Sequence, residues 1–349
     1  MQSHNARTIT RSAKGTRPMS LPIWPRPSTR AFIREARRLP GYSWFDWLHG
    51  YVYARWPFLY IGIGTGEHPL ARRARPLITR IDRLIKSRGQ ARLAHDQQTH
   101  KKPIRASSNT INFADTYHGK VVTLDAARQL VTVKRDINLG DLEHIIPYAL
   151  ARDIVLQNPE HIAALECPCR SVRAKPCLPL DVCLIIGEPF AGFIREHQPD
   201  RSRWISPDEA VAILTDEHER GHVHHAFFKD AMLGRFYAIC NCCACCCGAL
   251  QAQRSGVPML AASGYVSRQE DADRCIGCGV CVESCQFGAL TLSDGRAFID
   301  AAACMGCGVC VDKCEQGALL LVPDAEKGVP LEINHLMQAA LAVGAEAGT

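Results

Sequence analysis

Apolar residues recur at helical spacing in some stretches of the chain and run continuously or alternate in others. Ser43 stands where a helix cap belongs. Trp44 to Arg55 follows it, with Trp44, Trp47, Leu48 and Tyr51 on one face and Pro57 as the stop. A second stripe lies between Pro76 and Gly89, where Leu77, Ile78, Ile81, Leu84 and Ile85 face one way and Arg80, Arg83, Lys86 and Arg88 lie elsewhere. Lys120–Leu124 (KVVTL) and Leu130–Val133 (LVTV) predict short strands, Pro147–Leu156 a helix, and His161–Cys167 (HIAALEC) a buried strand. Ser206, with Pro207 in the first turn and Glu209 after it, reads as a capping box that opens a helix ending near Gly221. Residues 1–30, rich in Ser, Arg and Pro, read as a flexible arm, and Gln90 to Thr110 as a linker.

These elements predict an α+β fold. A basic, aromatic-containing helical arm and linker (1–105) precedes a cysteine-rich α/β domain (106–266). A module built on an internal repeat (267–325) and a C-terminal helix or tail (326–349) complete the chain. The repeat is plain. Cys275, Cys278, Cys281 and Cys285 recur 29 residues later as Cys304, Cys307, Cys310 and Cys314. Gly277/Gly306, Gly279/Gly308, Val280/Val309, Gly288/Gly317, Ala289/Ala318 and Leu290/Leu319 recur with them.

Composition changes the picture at one point, the 18 cysteines in 349 residues. Many are adjacent or two to three residues apart, where neighbours do not readily pair as disulfides, so the pattern reads as metal ligation. The first 30 residues carry no apolar signal core, and no charge-free run has the character of a membrane span. The expected location is therefore a reducing cytoplasm, with peripheral contact at the inner face of the membrane. Charge is unevenly placed. Residues 1–105 hold 21 Lys+Arg against 5 Asp+Glu, and the remainder holds 20 against 30. A basic front of this kind suits redox partner proteins or a peripheral membrane surface. No nucleic acid is expected, because no recognised reader module accompanies the charge.

Each copy of the repeat reads C-x2-C-x2-C-x3-C. Three thiolates at steps of three residues bind three corners of one iron–sulfur cubane, and small residues between them let the backbone aim N–H groups at the sulfurs. A pair of zinc sites is the alternative, but two eleven-residue runs with matching glycines fit cubanes better. Residues 268–322 resemble the bacterial two-cluster ferredoxins. That resemblance implies two [4Fe–4S] clusters with exchanged fourth ligands: Cys275, Cys278, Cys281 and Cys314 for the first, and Cys304, Cys307, Cys310 and Cys285 for the second. One departure is visible. Gln286 and Glu315 stand where the ferredoxin pattern has proline after the fourth cysteine.

Ten cysteines remain: Cys167, Cys169, Cys177 and Cys183 in CPCRSVRAKPCLPLDVC, and Cys240, Cys242, Cys243, Cys245, Cys246 and Cys247 in CNCCACCC. As an extended segment, CNCCACCC would set Cys240, Cys242 and Cys246 on one side and Cys243, Cys245 and Cys247 on the other. Arg170, Arg173 and Lys175 would lower nearby thiol pKa values and favour thiolates. A role as small buried hydrophobes is the plain alternative, and six cysteines in eight residues strain it. Ligand density points to a further metal centre, a third iron–sulfur cluster before zinc, with all ten as candidate ligands. Over about residues 115–325 the chain also resembles a group of prokaryotic iron–sulfur proteins. These combine CPCR, a helix ending in Gly-x-Val-His, ICNCC-x-CCC and a C-terminal two-cluster ferredoxin domain. The resemblance implies iron–sulfur binding and electron transfer.

Weaker signals add little. His218–His222 (HERGH) matches H-E-x-x-H, but Gly221 stands where the helix ends, so His222 falls past the cap. His222, His224 and His225 read as surface or hydrogen-bonding residues, with one of them completing a metal site as the lesser reading. GIGTG (Gly62–Gly66) lacks the spacing of a nucleotide loop and reads as a turn. The expected function is single-electron relay through two [4Fe–4S] clusters with an additional metal centre. An iron–sulfur oxidoreductase with chemistry at the central centre, or a redox or metal sensor, are the alternatives, and no catalytic residue is assigned.

Overall fold

The computed structural model describes residues 25–71, 73, 117–140, 142, 145–146, 153–257 and 259–346. The predicted helix at 76–89 and the linker at 90–110 lie outside these residues. Three helices open the described chain: α1 (Pro27–Arg38), α2 (Trp44–Arg55) and α3 (Pro57–Gly64). Residues 27–30, expected in the arm, are thus helical. Gly62 and Gly64, expected in a turn, close α3, and only Thr65 and Gly66 turn. Ser43 caps α2 as expected. Its side chain accepts from the Asp46 N–H, and the Asp46 carboxylate accepts in return from the Ser43 N–H.

The central region alternates strands and helices: β1 (Tyr117–Val122), α4 (Leu124–Val131), β2 (Ile137–Leu139), β3 (Ile154–Leu165), α5 (Pro168–Ser171), β4 (Cys183–Glu188), α6 (Phe190–His197), β5 (Ser202–Ile205), α7 (Pro207–Glu219), β6 (Val223–Lys229), β7 (Arg235–Cys242), α8 (Gly248–Arg254) and β8 (Leu260–Ala261). The strands form one sheet in the order β2-β3-β4-β7-β6-β1-β8, and β5 pairs with residues 162–165 of β3 on the edge opposite β4. Its pairings are antiparallel except β1 with β8.

Both faces of the sheet are buried along β4, β6 and β7. Successive residues serve opposite cores. Leu184 and Ile186 of β4 with Ala226 and Phe228 of β6 pack under α4 and α7. Cys183 and Ile185 with Phe227 pack under α1, α2, α6 and α8. This layering overrides local propensity at Leu130–Val133. Thr123 caps α4 by accepting from the Ala126 N–H, and Ala126, Ala127, Leu130 and Val131 are buried at helical spacing. LVTV therefore ends a helix rather than forming a strand. Likewise Ile154–Leu156 begin β3, where a helix was expected to run on. Ser206 caps α7 onto the Glu209 N–H, but the Glu209 carboxylate turns to Arg203 instead of closing the box.

Gly50 looks like a weak point in α2, and the packing explains it. A Cβ there would lie 1.8 Å from the Ala231 carbonyl oxygen, the same oxygen that accepts from Tyr42 Oη at 2.8 Å. The helix approaches the sheet's connecting turn more closely than any side chain allows.

The C-terminal module contains β9 (Tyr265–Gln269), α9 (Val280–Ser284), β10 (Leu290–Ser293), β11 (Arg296–Ile299), α10 (Val309–Asp312) and β12 (Leu319–Pro323), and α11 (Ile333–Glu346) follows. β9 pairs with β12 and β10 with β11. The sequence repeat is a structural repeat. Gly277 and Gly306 both have φ +67°, and a Cβ would come within 2.3 Å of the Gly295 oxygen in one copy and 2.1 Å of the Tyr265 oxygen in the other. No described helix is long and apolar enough to cross a membrane.

Candidate metal centres

In the repeated module, the short helices start at Gly279 and Gly308 and carry the third cysteine of each motif inward, so that Cys281 and Cys310 are both buried. Cys285, from the first copy, lines one small cavity together with Cys304, Cys307 and Cys310 of the second. Cys314 packs into one apolar cluster with Cys275, Cys281, Cys285 and Cys310, around Leu290, Ala297 and Leu319. Cys278 is exposed.

Backbone N–H groups reach the sulfurs in matching positions. The Ala289 N–H donates to Cys285 Sγ and the Ala318 N–H to Cys314 Sγ, both at 3.3 Å. The Ala297 N–H reaches Cys275 Sγ at 3.4 Å. The Ala297 and Gly277 bonds lower the Cys275 pKa, whereas burial pushes Cys310 up to about 11. A thiol so buried stays protonated unless a positive metal centre offsets the charge. Crowded glycines, N–H donors aimed at sulfur, and convergent buried thiols all suit iron–sulfur clusters.

The ten central cysteines divide into two groups. β7 stays extended only to Cys242. Beyond it the Cys246 and Cys247 N–H groups both donate to the Cys243 oxygen, at 3.3 and 3.0 Å, so the segment turns. The expected two-sided extended arrangement does not form. Cys243, Cys245 and Cys246 instead meet Cys177, with all four sulfurs within 4.8 Å of one another.

The other six thiols, Cys167, Cys169, Cys183, Cys240, Cys242 and Cys247, gather around one cavity. They line this space of about 360 Å³ together with Tyr53, Ile61, Phe227, Met232, Tyr237 and Met259, and Cys243 and Cys246 of the outer group border it as well. Cys167 is pushed up to about 12, first by its hydrogen bond to Cys169. At Cys242 the bond to Cys247 pulls downward, but burial and the neighbouring thiols outweigh it and leave the group at about 12.

The expected cationic lowering is therefore absent at these thiols. Arg170 is fully buried but donates to Glu217 Oε2 at 2.6 Å, and to the Pro179 and Asn241 oxygens at 2.6 and 3.0 Å, so its charge is matched. Arg173 bonds Glu67 and the Cys246 oxygen, and Lys175 is exposed.

His225 joins the inner group, within 4.8 Å of the Cys242 and Cys247 sulfurs. It is completely buried and neither ring nitrogen has a hydrogen-bond partner. Burial, then the charge of His224, drops its pKa to about 3, which keeps the imidazole in the neutral, ligating form. A buried polar ring without partners calls for an explanation, and a metal beside two thiols supplies one. Sequence reading left the choice among three histidines open and expected surface or hydrogen-bonding residues; His222, His224 and His225 are all buried, and the first two are hydrogen-bonded. His224 donates to Asn241 Oδ1 at 2.6 Å and stands 3.2 Å from His218, while His222 bonds Glu217. α7 ends at Glu219, and Gly221 takes φ +81°, so His218 and His222 serve different partners rather than one metal.

The module meets the sheet through residues that sequence reading had not connected. Gln286, in place of the usual proline, accepts from the Ala244 N–H at 2.8 Å and donates to the Gly221 oxygen at 2.9 Å. His218 donates to Asp312 at 2.7 Å, and Lys313 donates to the Glu219 oxygen. Val309 packs with Val121 and Val223, flanked by Phe287, Met305 and Cys307. Phe287 in turn lies 6.5 Å, ring to ring, from His225. The Cys285/Cys304/Cys307/Cys310 half thus faces the inner thiols, and the exposed Cys278 and Ile276 belong to the other half.

No curated protein and no solved structure matches the chain. A family model described as a 4Fe-4S dicluster domain matches residues 274–319, so the C-terminal module is of the iron–sulfur, ferredoxin-like type associated with electron transfer.

Proposed function

We propose that the protein is an iron–sulfur electron carrier in which the C-terminal module serves a metal centre held by the inner central thiols. Cys275, Cys278, Cys281 and Cys314 would hold one [4Fe–4S] cluster, and Cys304, Cys307, Cys310 and Cys285 the other. Cys167, Cys169, Cys183, Cys240, Cys242 and Cys247 with His225 would hold the further centre. When bound, such clusters supply one-electron carriers whose potentials respond to hydrogen bonding, burial and charge. The chain's own residues set those conditions. The Ala289, Ala297 and Ala318 N–H groups donate to ligand sulfurs. Val309, Met305 and Phe287 exclude water from the second set. Exposed Ile276 and Cys278 present the first set to a redox partner.

The observation that carries the reading is the contact of Phe287, two residues from Cys285, with orphaned His225 beside Cys242 and Cys247. It sets the module's inner half against the apolar core that holds Cys242 and Cys247. Full-length protein purified anaerobically should hold at least about eight irons and eight acid-labile sulfides, the content of two four-iron clusters. Cys314→Ser should abolish the EPR signal of one cluster and spare the other. Recovery of zinc alone, or of only four irons after reconstitution, overturns the reading.

The cavity favours a second reading, an oxidoreductase with chemistry at the inner thiols. Its volume of about 360 Å³ falls in the range of small-molecule sites, and much of its lining is apolar. An exogenous metal ligand such as cyanide should then alter the EPR or absorption of the central centre while leaving the two module signals unchanged.

A further inference from the structure

We propose that Cys177, Cys243, Cys245 and Cys246 form a closed four-thiolate site for a single zinc ion, separate from the redox centres, which clips the loop between α5 and β4 onto the turn after β7. Three of the donors leave one tight turn, held by the Cys246 and Cys247 N–H groups on the Cys243 oxygen. The fourth comes from the loop, 66 residues earlier in sequence than Cys243.

The spacing distinguishes one ion from a cluster. Four thiolates at a zinc–sulfur distance of about 2.3 Å stand about 3.8 Å apart at the corners of a tetrahedron. All four sulfurs lie within 4.8 Å of one another, with Cys245 to Cys246 at 3.8 Å and Cys177 to Cys245 at 3.1 Å. A four-iron cubane places a separate iron behind each thiolate and needs a wider set. A disulfide between Cys177 and Cys245 would need about 2.05 Å, well inside the observed separation.

Four protein ligands leave no open coordination position, the mark of a structural rather than a catalytic zinc site. The surroundings fit that role. Arg173 donates to the Cys246 oxygen and to Gln251 at 3.0 and 2.6 Å, and Gln251 donates to the Cys245 oxygen at 3.0 Å, so loop, turn and α8 already converge. The ion completes this junction and fixes the turn from which Cys247 enters the cavity.

The site is independent of the electron-transfer reading, which iron and sulfide counts test. The experiment uses full-length protein expressed with zinc and purified anaerobically. It should contain about one zinc per chain besides its iron. Cys177→Ser and Cys245→Ser should each reduce zinc to near zero while iron, sulfide and the module's EPR signals stay unchanged. Cobalt exchanged into this position should give the charge-transfer and d–d bands of a tetrahedral four-thiolate site, and Cys177→Ser should lack them. Four results overturn the proposal. One is wild-type protein without zinc and without the cobalt spectrum. Another is loss of iron and sulfide from Cys177→Ser. The third is an isolated ferric four-thiolate signal in place of zinc. The last is a Cys177–Cys245 disulfide by mass spectrometry of protein prepared without oxidant.

Discussion

Replacing Arg170 with methionine tests whether the CPCR element is anchored by a buried ion pair. Arg170 is 1% exposed and Glu217 0%. Their contact at 2.6 Å joins α5 to α7, and the same guanidinium holds the Pro179 and Asn241 carbonyls. Breaking one partner of a buried pair costs about 3–5 kcal/mol, because the remaining charge is left uncompensated. Glu217 keeps His222 at 2.7 Å and Arg220 at 3.2 Å, which puts the expected loss at the low end, about 3 kcal/mol.

Glu217→Gln in the Arg170→Met background removes the stranded charge and should recover about 1–2 kcal/mol. Arg203→Met is the control. Its guanidinium bridges half-exposed Asp181 and Glu209, so the change should stay within about 0.5 kcal/mol. The acid dependence has a definite sign. Burial raises the Glu217 pKa, but its bonds to His222 and Arg170 outweigh this and hold it below the usual carboxylate value. Its contribution is full above the unfolded value of about 4.5 and is lost as pH falls through the lower folded value. The Arg170→Met deficit should therefore be full at neutral pH and shrink in acid, where the stranded carboxylate takes up a proton. Anaerobic urea unfolding followed by far-ultraviolet circular dichroism measures each difference. A deficit no larger than that of Arg203→Met, or no recovery on Glu217→Gln, refutes the buried-anchor argument.

Gln286→Pro restores the residue of the ferredoxin pattern and removes both hydrogen bonds to the central domain, leaving the Ala244 N–H without its acceptor. A loss of about 2 kcal/mol should speed hydrogen exchange across residues 243–247 roughly 30-fold while the module keeps its iron, and unchanged exchange would show that the contact holds nothing. On α2, Trp44 and Phe45 are 65% and 74% exposed beside a strongly basic segment. Co-sedimentation with anionic vesicles is expected at low salt, fading as salt rises and falling sharply in Trp44→Glu with Phe45→Glu; full recovery of wild-type protein in the low-salt supernatant would rule the surface out.

Much of what was legible in the chain is local. Ser43 and Ser206 signal their helices because a cap needs only a hydroxyl and an N–H three residues on. The doubled cysteine motif signals its module because ligand spacing and crowded glycines are written within eleven residues. Trp47 and Trp44 show the limit of that signal. Both lie on the predicted face of α2, yet Trp47 is buried against Phe32 while Trp44 faces solvent, since burial depends on what packs opposite. Gly50 was legible as a weak helix residue, but only the Ala231 carbonyl across from it explains why glycine is there. Gln286 was legible as a departure from proline, but not as a pin, because Ala244 and Gly221 lie 42 and 65 residues away in the chain.

By itself, the sequence determined that this protein has a two-copy iron–sulfur module, a second concentration of thiols and a basic front, because these follow from residue type and short-range spacing. Tertiary structure decided how the ten central thiols divide, with the Cys243–Cys247 turn delivering three to Cys177 while β4, β7 and the starts of α5 and α8 bring six around a cavity beside His225. It also decided that LVTV ends a helix and that Cys285 lines a small cavity together with Cys304, Cys307 and Cys310. The physical reason is the same in each case. A thiol's partners, like a helix's buried face, are supplied by segments distant in sequence, and the strand pairing and packing that bring them together are not encoded in any one window of the chain.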